Sequence, residues 1–454
     1  MKPGAPLFCL ALMFLALGCA GFFSETAALL WLLTGLALLP LLAADALVLL
    51  CLSRPLTLKR EMPQSLAQGE RARVRLVLSA GGRGYLAKKV LLWDMHPLAM
   101  RSAAFPAALD GALLRRGGLV FEYEVIPEER GNWAFTHAEA LLASPLRLWR
   151  RKVILAAASR GKTYPDFKKI QAAAGRELRV LLERTGLKPL RRRGQGLEFE
   201  SLGNFKEGDS IRAIDWRATS RSVSQGNRRR VIVREYREEQ DQQVLLLLDS
   251  GYRLHRLERS GAALRLQFDS ALEAALLLAW VSLKHGDSVA ALSFGAERRW
   301  VAPVKGASAF RALMNGLYDL HSAPVPSSPF RGLEDALARL RRRTFIILIS
   351  AFNEEDGPSL SPLMRAAGRR HLLLAVSMLE HEMEALASSG PGGQGARKRE
   401  AALEAAAAFA CRARRRELFL RWEKAGLLTL EASQEALAGA LLDRYLKVKL
   451  AGRL

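Results

Sequence analysis

Three acidic residues in a polar, glycine-rich segment are the first candidates for chemistry in this chain. Glu198, Asp209 and Asp215 all lie within residues 194–221. Carboxylates can act as a general acid and a general base, but the segment contains no histidine or cysteine to serve as a partner or a nucleophile. We therefore expect a structural role, or contact with a partner, for these carboxylates rather than catalysis.

Other patterns of catalytic chemistry are incomplete. Residues 160–163 read Arg-Gly-Lys-Thr, like the end of a phosphate-binding loop, but Ala156 replaces the first glycine and Tyr164-Pro165 prevents the helix that would hold phosphate. The seven histidines are scattered along the chain, so ordinary structural or surface roles are expected for them. The sequence thus predicts a protein that is not an enzyme and has no small-molecule substrate.

Residues 243–454 alternate between apolar runs and amphipathic stretches. Runs that predict buried strands lie at 244–248, 288–294, 345–350, 372–378 and 427–431, with a hairpin partner at 299–304. Stretches that predict helices lie at 268–284, 307–320, 333–341, 360–369, 397–424 and 434–446. This alternation predicts the α/β class, with a mostly parallel sheet and helices on both faces.

The middle of the chain has a different pattern. Residues 54–165 carry short apolar–polar alternations between glycine and proline breaks, which predicts a small β-sandwich-like domain. Residues 166–242 are a connector, with a helix expected near 171–190 and an irregular, basic, glycine-rich stretch at 191–227. A flexible surface linker is expected at 388–395.

Two apolar stretches at the N-terminus predict a membrane anchor over residues 1–53. Residues 6–23 carry no charge and residues 26–52 carry only Asp45, so each stretch can cross a bilayer as a helix, which places residues 6–52 in contact with phospholipid. We expect Asp45 to reach towards the membrane surface. Basic residues flank the two outer ends, which places both ends in the cytoplasm. A cleaved signal peptide, with Leu17-Gly18-Cys19 resembling a lipoprotein cleavage site, is the alternative.

Composition limits the compartment and the partners. Four cysteines, most of them in apolar stretches, give neither a disulfide framework nor a thiolate cluster, which favours a reducing compartment.

Lys and Arg total 68 against 45 Asp and Glu, a net charge of +23. This excess favours anionic neighbours: lipid head groups, an acidic protein surface or nucleic acid. Solvated surface arginines are the alternative explanation. The excess is concentrated at residues 191–193, 228–230, 341–343 and 414–416.

Two strings in the connector carry a family resemblance. Residues 194–202 read Gly-Gln-Gly-Leu-Glu-Phe-Glu-Ser-Leu, and residues 208–221 read Gly-Asp-Ser-Ile-Arg-Ala-Ile-Asp-Trp-Arg-Ala-Thr-Ser-Arg. They resemble the signature of the bacterial and archaeal "domain of unknown function 58" family. The signature residues, for which we expect a structural or partner-contact role, are Gly196, Glu198, Phe199, Gly208, Asp209, Arg212, Asp215, Trp216, Ala218, Thr219 and Arg221.

The resemblance implies an architecture and a cellular role. It implies a two-helix anchor in the bacterial inner membrane, a β region, and a von Willebrand factor A-like (Rossmann-like) domain that begins near Asp249 and faces the cytoplasm. Members are often encoded beside AAA+ ATPases of the MoxR type. The resemblance therefore implies a multi-pass membrane adaptor or scaffold that acts with such an ATPase in the assembly or maturation of other proteins.

The residue types of the signature suit an ordered clamp. Asp209 is placed to cap a following helical turn. Trp216 can supply a large buried anchor. Arg212, Asp215 and Arg221 can form charge-assisted hydrogen bonds that hold the segment against the A-type domain.

The resemblance also raises the question of a metal. A-type domains bind Mg²⁺ through an Asp-x-Ser-x-Ser motif, a threonine and a second aspartate. Here Gly251 and Arg253 replace the two serines, and Ala351 stands where the second aspartate is expected. Mg²⁺ requires nearly complete oxygen coordination, and Arg253 would oppose the ion. We therefore expect a degenerate site at these positions, with no metal and no cofactor, in which Asp249 pairs with Arg253 or caps a turn.

Three functions remain open at this point. The first is the adaptor, presenting the loops at 249–256 and 351–356 to an ATPase or its substrate. The second is a basic protein that binds anionic lipid or nucleic acid, although aromatic residues do not interleave with the arginines as base stacking requires, so nucleic-acid binding is not expected. The third is a hydrolase of an unrecognised kind.

Overall fold

The chain divides into two compact units, Met1–Phe167 and Lys168–Leu454, in a computed structural model. The structure describes residues 1–53, 56–80, 89–110, 118–166, 168, 171–172, 175, 193–194, 198–206, 211–224, 231–237, 242–260, 263–380 and 396–452.

The described residues of the first unit form two helices and ten strands. Its helices are α1 (Ala5–Gly21) and α2 (Glu25–Ser53). Its strands are β1 (Lys2–Pro3), β2 (Leu56–Glu61), β3 (Ser65–Ala67), β4 (Ala72–Ala80), β5 (Lys89–Asp94), β6 (Met100–Arg101), β7 (Ala107–Asp110), β8 (Leu119–Pro127), β9 (Gly131–Ala143) and β10 (Trp149–Tyr164).

Two sheets of the first unit enclose one apolar core. One has the order β1–β10–β9–β5–β7 with β3 beside β10, and the other has the order β2–β4–β8–β6. Strands such as β2 and β9 alternate buried and exposed residues, as strands with one face on a core do. Leu76 and Leu78 of one sheet and Leu92, Phe135 and Leu142 of the other meet in the core. The strands predicted over this region are confirmed.

A buried ion pair lies within this core. Arg60 and Asp94 have fully buried side chains, and the Arg60 Nε–H donates to Asp94 Oδ2 at 3.0 Å. A second guanidinium nitrogen of Arg60 bonds the other carboxylate oxygen, a third bonds the carbonyl of Ala157, and the guanidinium lies 4.4 Å from the ring centroid of Phe135. The Tyr123 hydroxyl donates to Asp94 Oδ2 at 2.6 Å. Burial raises the pKa of the Tyr123 phenol, so it remains a donor.

The two N-terminal helices form an apolar hairpin. The segment Glu25–Cys51 of α2 is long and apolar enough to cross a membrane, whereas α1 is a shorter apolar helix. Phe14 stacks on Trp31 across the pair, with ring centroids 5.3 Å apart. One N-terminal helix of this chain is thus a membrane-span candidate.

The described residues of the second unit form a three-stranded sheet, a six-stranded sheet and a two-stranded hairpin. Its helices are α3 (Trp216–Ser224), α4 (Gln267–Lys284), α5 (Phe310–Leu317), α6 (Pro329–Arg339), α7 (Gly357–Gly368), α8 (Ala396–Lys424) and α9 (Leu437–Leu450). Its strands are β11 (Arg193–Gly194), β12 (Glu198–Asn204), β13 (Ile232–Arg237), β14 (Gln243–Asp249), β15 (Leu257–Ser260), β16 (Ala263–Leu266), β17 (Ser288–Phe294), β18 (Trp300–Lys305), β19 (Thr344–Ser350), β20 (Leu372–Met378) and β21 (Leu428–Ala432).

The large sheet has the order β18–β17–β14–β19–β20–β21. All neighbours in it are parallel except the β17–β18 hairpin. Apolar side chains of its central strands pack on α6, α7 and α8 on one face, while α4 contacts β14 and β17 and also packs on α9. Burial on both faces explains the near-continuous apolar runs. The predicted mixed α/β architecture is confirmed.

The C-terminal helix α9 is fixed by a buried polar cluster. The Tyr445 hydroxyl donates to Asp287 Oδ2, and the Lys449 ammonium donates to Asp287 Oδ1 at 2.7 Å. Asp287 and Tyr445 are fully buried, so their polar atoms need these partners. This cluster ties the end of the chain to the start of β17.

The connector differs from its prediction. Residues 191–227 were expected to be irregular, but β12 pairs with β13 and α3 lies between them in sequence. The glycines and arginines of this stretch interrupt the apolar alternation that predicts a strand. The pairing of β12 with β13 joins residues about 30 positions apart, so it cannot be seen in the local sequence. The hairpin β15–β16 was also not predicted. The expected helix at 171–190 falls almost entirely, and the linker at 388–395 wholly, outside the described residues.

Candidate functional site

The signature forms a small module of strand, helix and strand. β12 and β13 pair antiparallel, and Ile214 forms an isolated bridge to Val233. A single turn at Ile211–Ala213 precedes α3. We call β12, β13, this turn and α3 the signature module.

Asp215 caps the helix of the module. Its Oδ1 accepts hydrogen bonds from the backbone N–H groups of Arg217 and Ala218, each at 3.0 Å. An aspartate here satisfies donors at the helix start that would otherwise have no partner. The turn that Asp209 is expected to cap begins near Ser210, and both residues lie outside the described residues.

Two further bonds fasten α3 to β13. Arg234 Nε–H donates to Asp215 Oδ2 at 2.8 Å, and the Thr219 hydroxyl accepts from the backbone N–H of Ile232 at 3.0 Å. Hydrogen bonds from Ala218 first, and from Arg234 second, hold the pKa of Asp215 below its ordinary value. The carboxylate thus stays ionised at neutral pH and keeps the helix start in place.

Trp216 is an exposed aromatic side chain of the module. Its side chain is 66% exposed, and Ile211 is 72% exposed. This corrects the expectation that Trp216 is a buried anchor: it is the first residue after the cap, where the helix faces solvent. Leu202 and Phe205 are exposed as well. These exposed apolar side chains are candidates for a contact surface.

The other signature residues are only partly described. Arg221 is exposed near the end of α3, and Ala218 is half-buried. The backbones of Glu198 and Phe199 belong to β12, and that of Arg212 to the single turn. Gly196, Gly208 and Asp209 lie outside the described residues. Asp215 is expected to bond the large-sheet domain, but its ion pair lies within the module, with Arg234.

A second polar cluster occupies the carboxyl edge of the large sheet. Asp249 is fully buried at the end of β14. Its Oδ1 accepts from the N–H of Gly251 at 2.9 Å, and its Oδ2 accepts from the hydroxyls of Ser350 at 2.6 Å and Ser327 at 3.0 Å. Asp249 therefore caps a turn, as one of its two expected roles proposed, and both of its oxygens are engaged.

Arg253 does not pair with Asp249. Its Nη1 donates to Asp356 Oδ2 at 2.7 Å and to the carbonyl of Ala351 at 2.8 Å, and its Nη2 donates to Asp356 Oδ1 at 2.9 Å. Sequence reasoning missed Asp356, which is 103 positions away and joins the cluster only through the fold. The two-pronged geometry of the pair fixes the loop after β14 against the loop after β19.

The edge is tightly packed as well as hydrogen-bonded. A Cβ on Gly251 would lie 2.5 Å from Cβ of Ser327 and 2.8 Å from the carbonyl oxygen of Val325. Gly251 is thus required for close approach of two loops. In the part of the chain that the structure describes, no group of three or more His, Cys, Asp or Glu residues could hold a metal ion.

Asp249→Asn is expected to be well tolerated. Burial raises the pKa of Asp249 above 3.8, although bonds from Ser350, Gly251 and Ser327 oppose that rise. Burial therefore disfavours the ionised form in the folded chain. The stability that Asp249 contributes is fully present below its ordinary pKa of 3.8, where the carboxyl is protonated, and is lost as the pH rises through the raised pKa. Asparagine keeps an oxygen for Gly251, and both serine hydroxyls can turn to accept from its amide.

The change in the free energy of unfolding at neutral pH should be below about 1 kcal/mol, and the loss of stability with rising pH should be smaller than in the wild type. Urea unfolding of the full-length chain in detergent, at several pH values, measures both. A loss of about 3 kcal/mol or more at neutral pH would show that the charge itself is required.

A family comparison covers much of the second unit. Residues 201–393 match the family model described as "Protein of unknown function DUF58". The match begins within β12 and includes α3, the carboxyl-edge cluster and most of the large sheet. No curated protein matches the chain.

Solved structures show only distant likeness. The CARDB domain of the PF1109 protein from Pyrococcus furiosus, in complex with di-metal ions, is 10% identical, with 24% of this chain and 86% of that chain covered and a TM-score of 0.17. A solution structure of that domain is 12% identical, with 24% of this chain and 94% of that chain covered and a TM-score of 0.15. An uncharacterized membrane spanning protein from Vibrio fischeri is 11% identical, with 46% of this chain and 98% of that chain covered and a TM-score of 0.17. Likeness at this level leaves fold and function to be argued from the chain itself.

Proposed function

We propose that this chain is a non-enzymatic adaptor whose signature module binds a cytoplasmic AAA+ ATPase of the MoxR type. The exposed indole of Trp216, held on a capped helix, is the observation that carries the proposal. A rigid, solvent-exposed tryptophan is the kind of side chain that dominates the energy of protein interfaces. The family match over residues 201–393 adds support, because the resemblance implies such an ATPase as a neighbour.

The same proposal includes the architecture around the module. α1 and α2 are two membrane spans in the bacterial inner membrane. The rest of the first unit and the whole second unit lie in the cytoplasm, as the basic residues that flank the two helices favour. The large sheet is a von Willebrand factor A-like domain. Its mostly parallel order and its carboxyl-edge aspartate support this assignment.

We further propose that the A-type site is degenerate and binds no metal. Both oxygens of Asp249 already accept hydrogen bonds, and Arg253 is committed to Asp356 beside it. Isothermal titration of the full-length chain in detergent with Mg²⁺ and Mn²⁺ should give no binding heat. Stoichiometric binding that is abolished by Asp249→Ala would overturn the proposal.

An affinity purification from solubilised native membranes tests the adaptor function. The wild-type chain should retain a AAA+ ATPase, identified by mass spectrometry, and Trp216→Ala should lose it. Phe409→Ala is the matched control, because Phe409 is another exposed aromatic residue, 56% exposed, on α8. Recovery of no AAA+ ATPase by the wild-type chain, or equal recovery by Trp216→Ala, would contradict the proposal.

A further inference from the structure

The turn between β9 and β10 in the first unit is held against both N-terminal helices. The N–H of Gly4, just before α1, donates to the carbonyl of Leu148 at 2.7 Å. The indole Nε1–H of Trp149 donates to the carbonyl of Leu42 in α2 at 3.1 Å, and the N–H of Leu146 donates to Asp45 Oδ1 at 3.2 Å. The turn therefore meets α1 at its start and α2 at residues 42–45.

This contact divides α2 into two parts. Beyond the turn, Leu49 is fully buried in the core of the first unit, so this end of the helix belongs to the folded domain. The remaining part, residues 25–41, is as long as the 17-residue α1. At the α-helical rise, both lengths are about 25 Å, close to the hydrocarbon thickness of a bilayer. The folded domain thus begins at the level of Gly4, just before α1, and of Leu42 in α2.

Asp45 supports the same boundary. Sequence reasoning expected its carboxylate to reach towards the membrane surface, but the side chain is only 4% exposed and accepts the N–H of Leu146. The carboxylate is covered by the turn. This places residues 144–150 at the level where α2 has its buried residues, Asp45 and Leu49.

Cationic and apolar side chains surround this level. Lys2, Arg147 and Arg150 are exposed, and Lys2 pairs with Arg150 across the β1–β10 ladder. None of the three forms an ion pair with a carboxylate within the described part of the chain. Leu146, at the tip of the turn, is 49% exposed. Exposed cations beside an exposed leucine match the chemistry of a lipid head-group layer, with phosphates outside and acyl chains beneath.

We propose that Lys2, Arg147, Arg150 and Leu146 form a membrane-seated collar that binds the anionic head groups of the leaflet from which the two helices emerge. The collar rests on the anchoring part of the proposed function and is independent of the ATPase. The phosphate of an anionic phospholipid is then the partner of part of the chain's net positive charge. The collar also holds the first unit against the bilayer at a fixed height, because the turn is bonded to both helices.

Depth-dependent quenching tests the position of the collar. In full-length chain whose four native cysteines are replaced by alanine, a fluorophore is attached at Leu146→Cys, Leu36→Cys or Arg160→Cys. Each variant is placed in bilayer nanodiscs with quenchers on the head group or on the acyl chain. Arg160 is the matched distant position, because it is exposed on β10 about 30 Å beyond Arg150.

The label at residue 146 should be quenched from the head group, the label at residue 36 from the acyl chain, and the label at residue 160 by neither. Quenching at residue 36 without quenching at residue 146 would overturn the collar and leave the anchor standing. Absence of quenching at residue 36 would overturn the anchor itself.

Lipid retention tests the charge of the collar. The full-length chain is purified from bilayers of phosphatidylcholine and phosphatidylglycerol, and the ratio of the two retained lipids is measured. One Lys or Arg near an anionic membrane surface strengthens binding to that surface by about fivefold. The variant Lys2→Gln/Arg147→Gln/Arg150→Gln should therefore lower the phosphatidylglycerol enrichment by at least about fivefold. The control Arg73→Gln/Arg160→Gln, at two other exposed cations of the unit, should leave it unchanged. Equal enrichment in both variants would overturn the proposed binding of anionic lipid.

Discussion

Replacing Asp94 by asparagine should lower the free energy of unfolding of the first unit by about 3–5 kcal/mol, the range seen when one partner of a buried ion pair is removed. The guanidinium of Arg60 is fully buried and has Asp94 as its only carboxylate in the described part of the chain. The substitution leaves that cation without a counter-charge and weakens the acceptor for the Tyr123 hydroxyl. The prediction therefore depends on desolvation rather than on the attraction between the two charges.

Pulse proteolysis of the full-length chain in detergent, across a urea series, measures this loss through the amount of intact first unit. The control is Glu61→Gln, which removes an exposed partner of Lys59 at 3.0 Å and should change the free energy of unfolding by less than about 1 kcal/mol. The apolar pair Arg60→Met/Asp94→Leu should recover much of the stability that Asp94→Asn loses. A loss below about 1 kcal/mol for Asp94→Asn would contradict the buried network.

Trp216→Ala should weaken binding of the proposed partner, a AAA+ ATPase, by about 30-fold or more, since tryptophans at interface hot spots contribute about 2 kcal/mol or more. The fold of the module should survive, because the cap made by Asp215 and the Thr219 bond to Ile232 do not involve the indole. Binding of the purified ATPase to the full-length chain in nanodiscs, measured by surface plasmon resonance, gives the two affinities.

Two controls separate loss of contact from loss of structure. The melting temperature of Trp216→Ala should match the wild type, as expected for a side chain that is 66% exposed. Phe409→Ala should keep the wild-type affinity. An unchanged affinity for Trp216→Ala would contradict the proposed contact at the signature module.

Much of the large sheet could be predicted because its strands leave an unambiguous pattern. β17 and β20 have the bounds expected from their apolar runs at 288–294 and 372–378. A central parallel strand is buried on both faces, so almost every residue is apolar and the run ends where the strand ends. The hairpin β15–β16 has arginines at Arg259 and Arg265 and lacks such a run, so nothing in its sequence distinguishes it from a loop.

The candidate site could be predicted only in part, because some of its contacts are local in sequence and others are made only through the fold. The capping role of an aspartate depends on its immediate neighbours, so the turn capped by Asp249 was among the expected outcomes. The partner of Arg253 depends on the position of a loop 103 residues away. The exposure of Trp216 could not be read from composition, because tryptophan is usually buried and only the fold shows which face of α3 is left in water.

Site-specific photo-crosslinking at residue 216 tests the adaptor account most directly. A photoreactive phenylalanine derivative replaces Trp216 in the full-length chain, the native membranes are irradiated, and the crosslinked products are identified by mass spectrometry. The account predicts a crosslink to a AAA+ ATPase from residue 216 and none from the same derivative at Phe409. Crosslinks from residue 216 only to lipid, or only to proteins that are not ATPases, would contradict it.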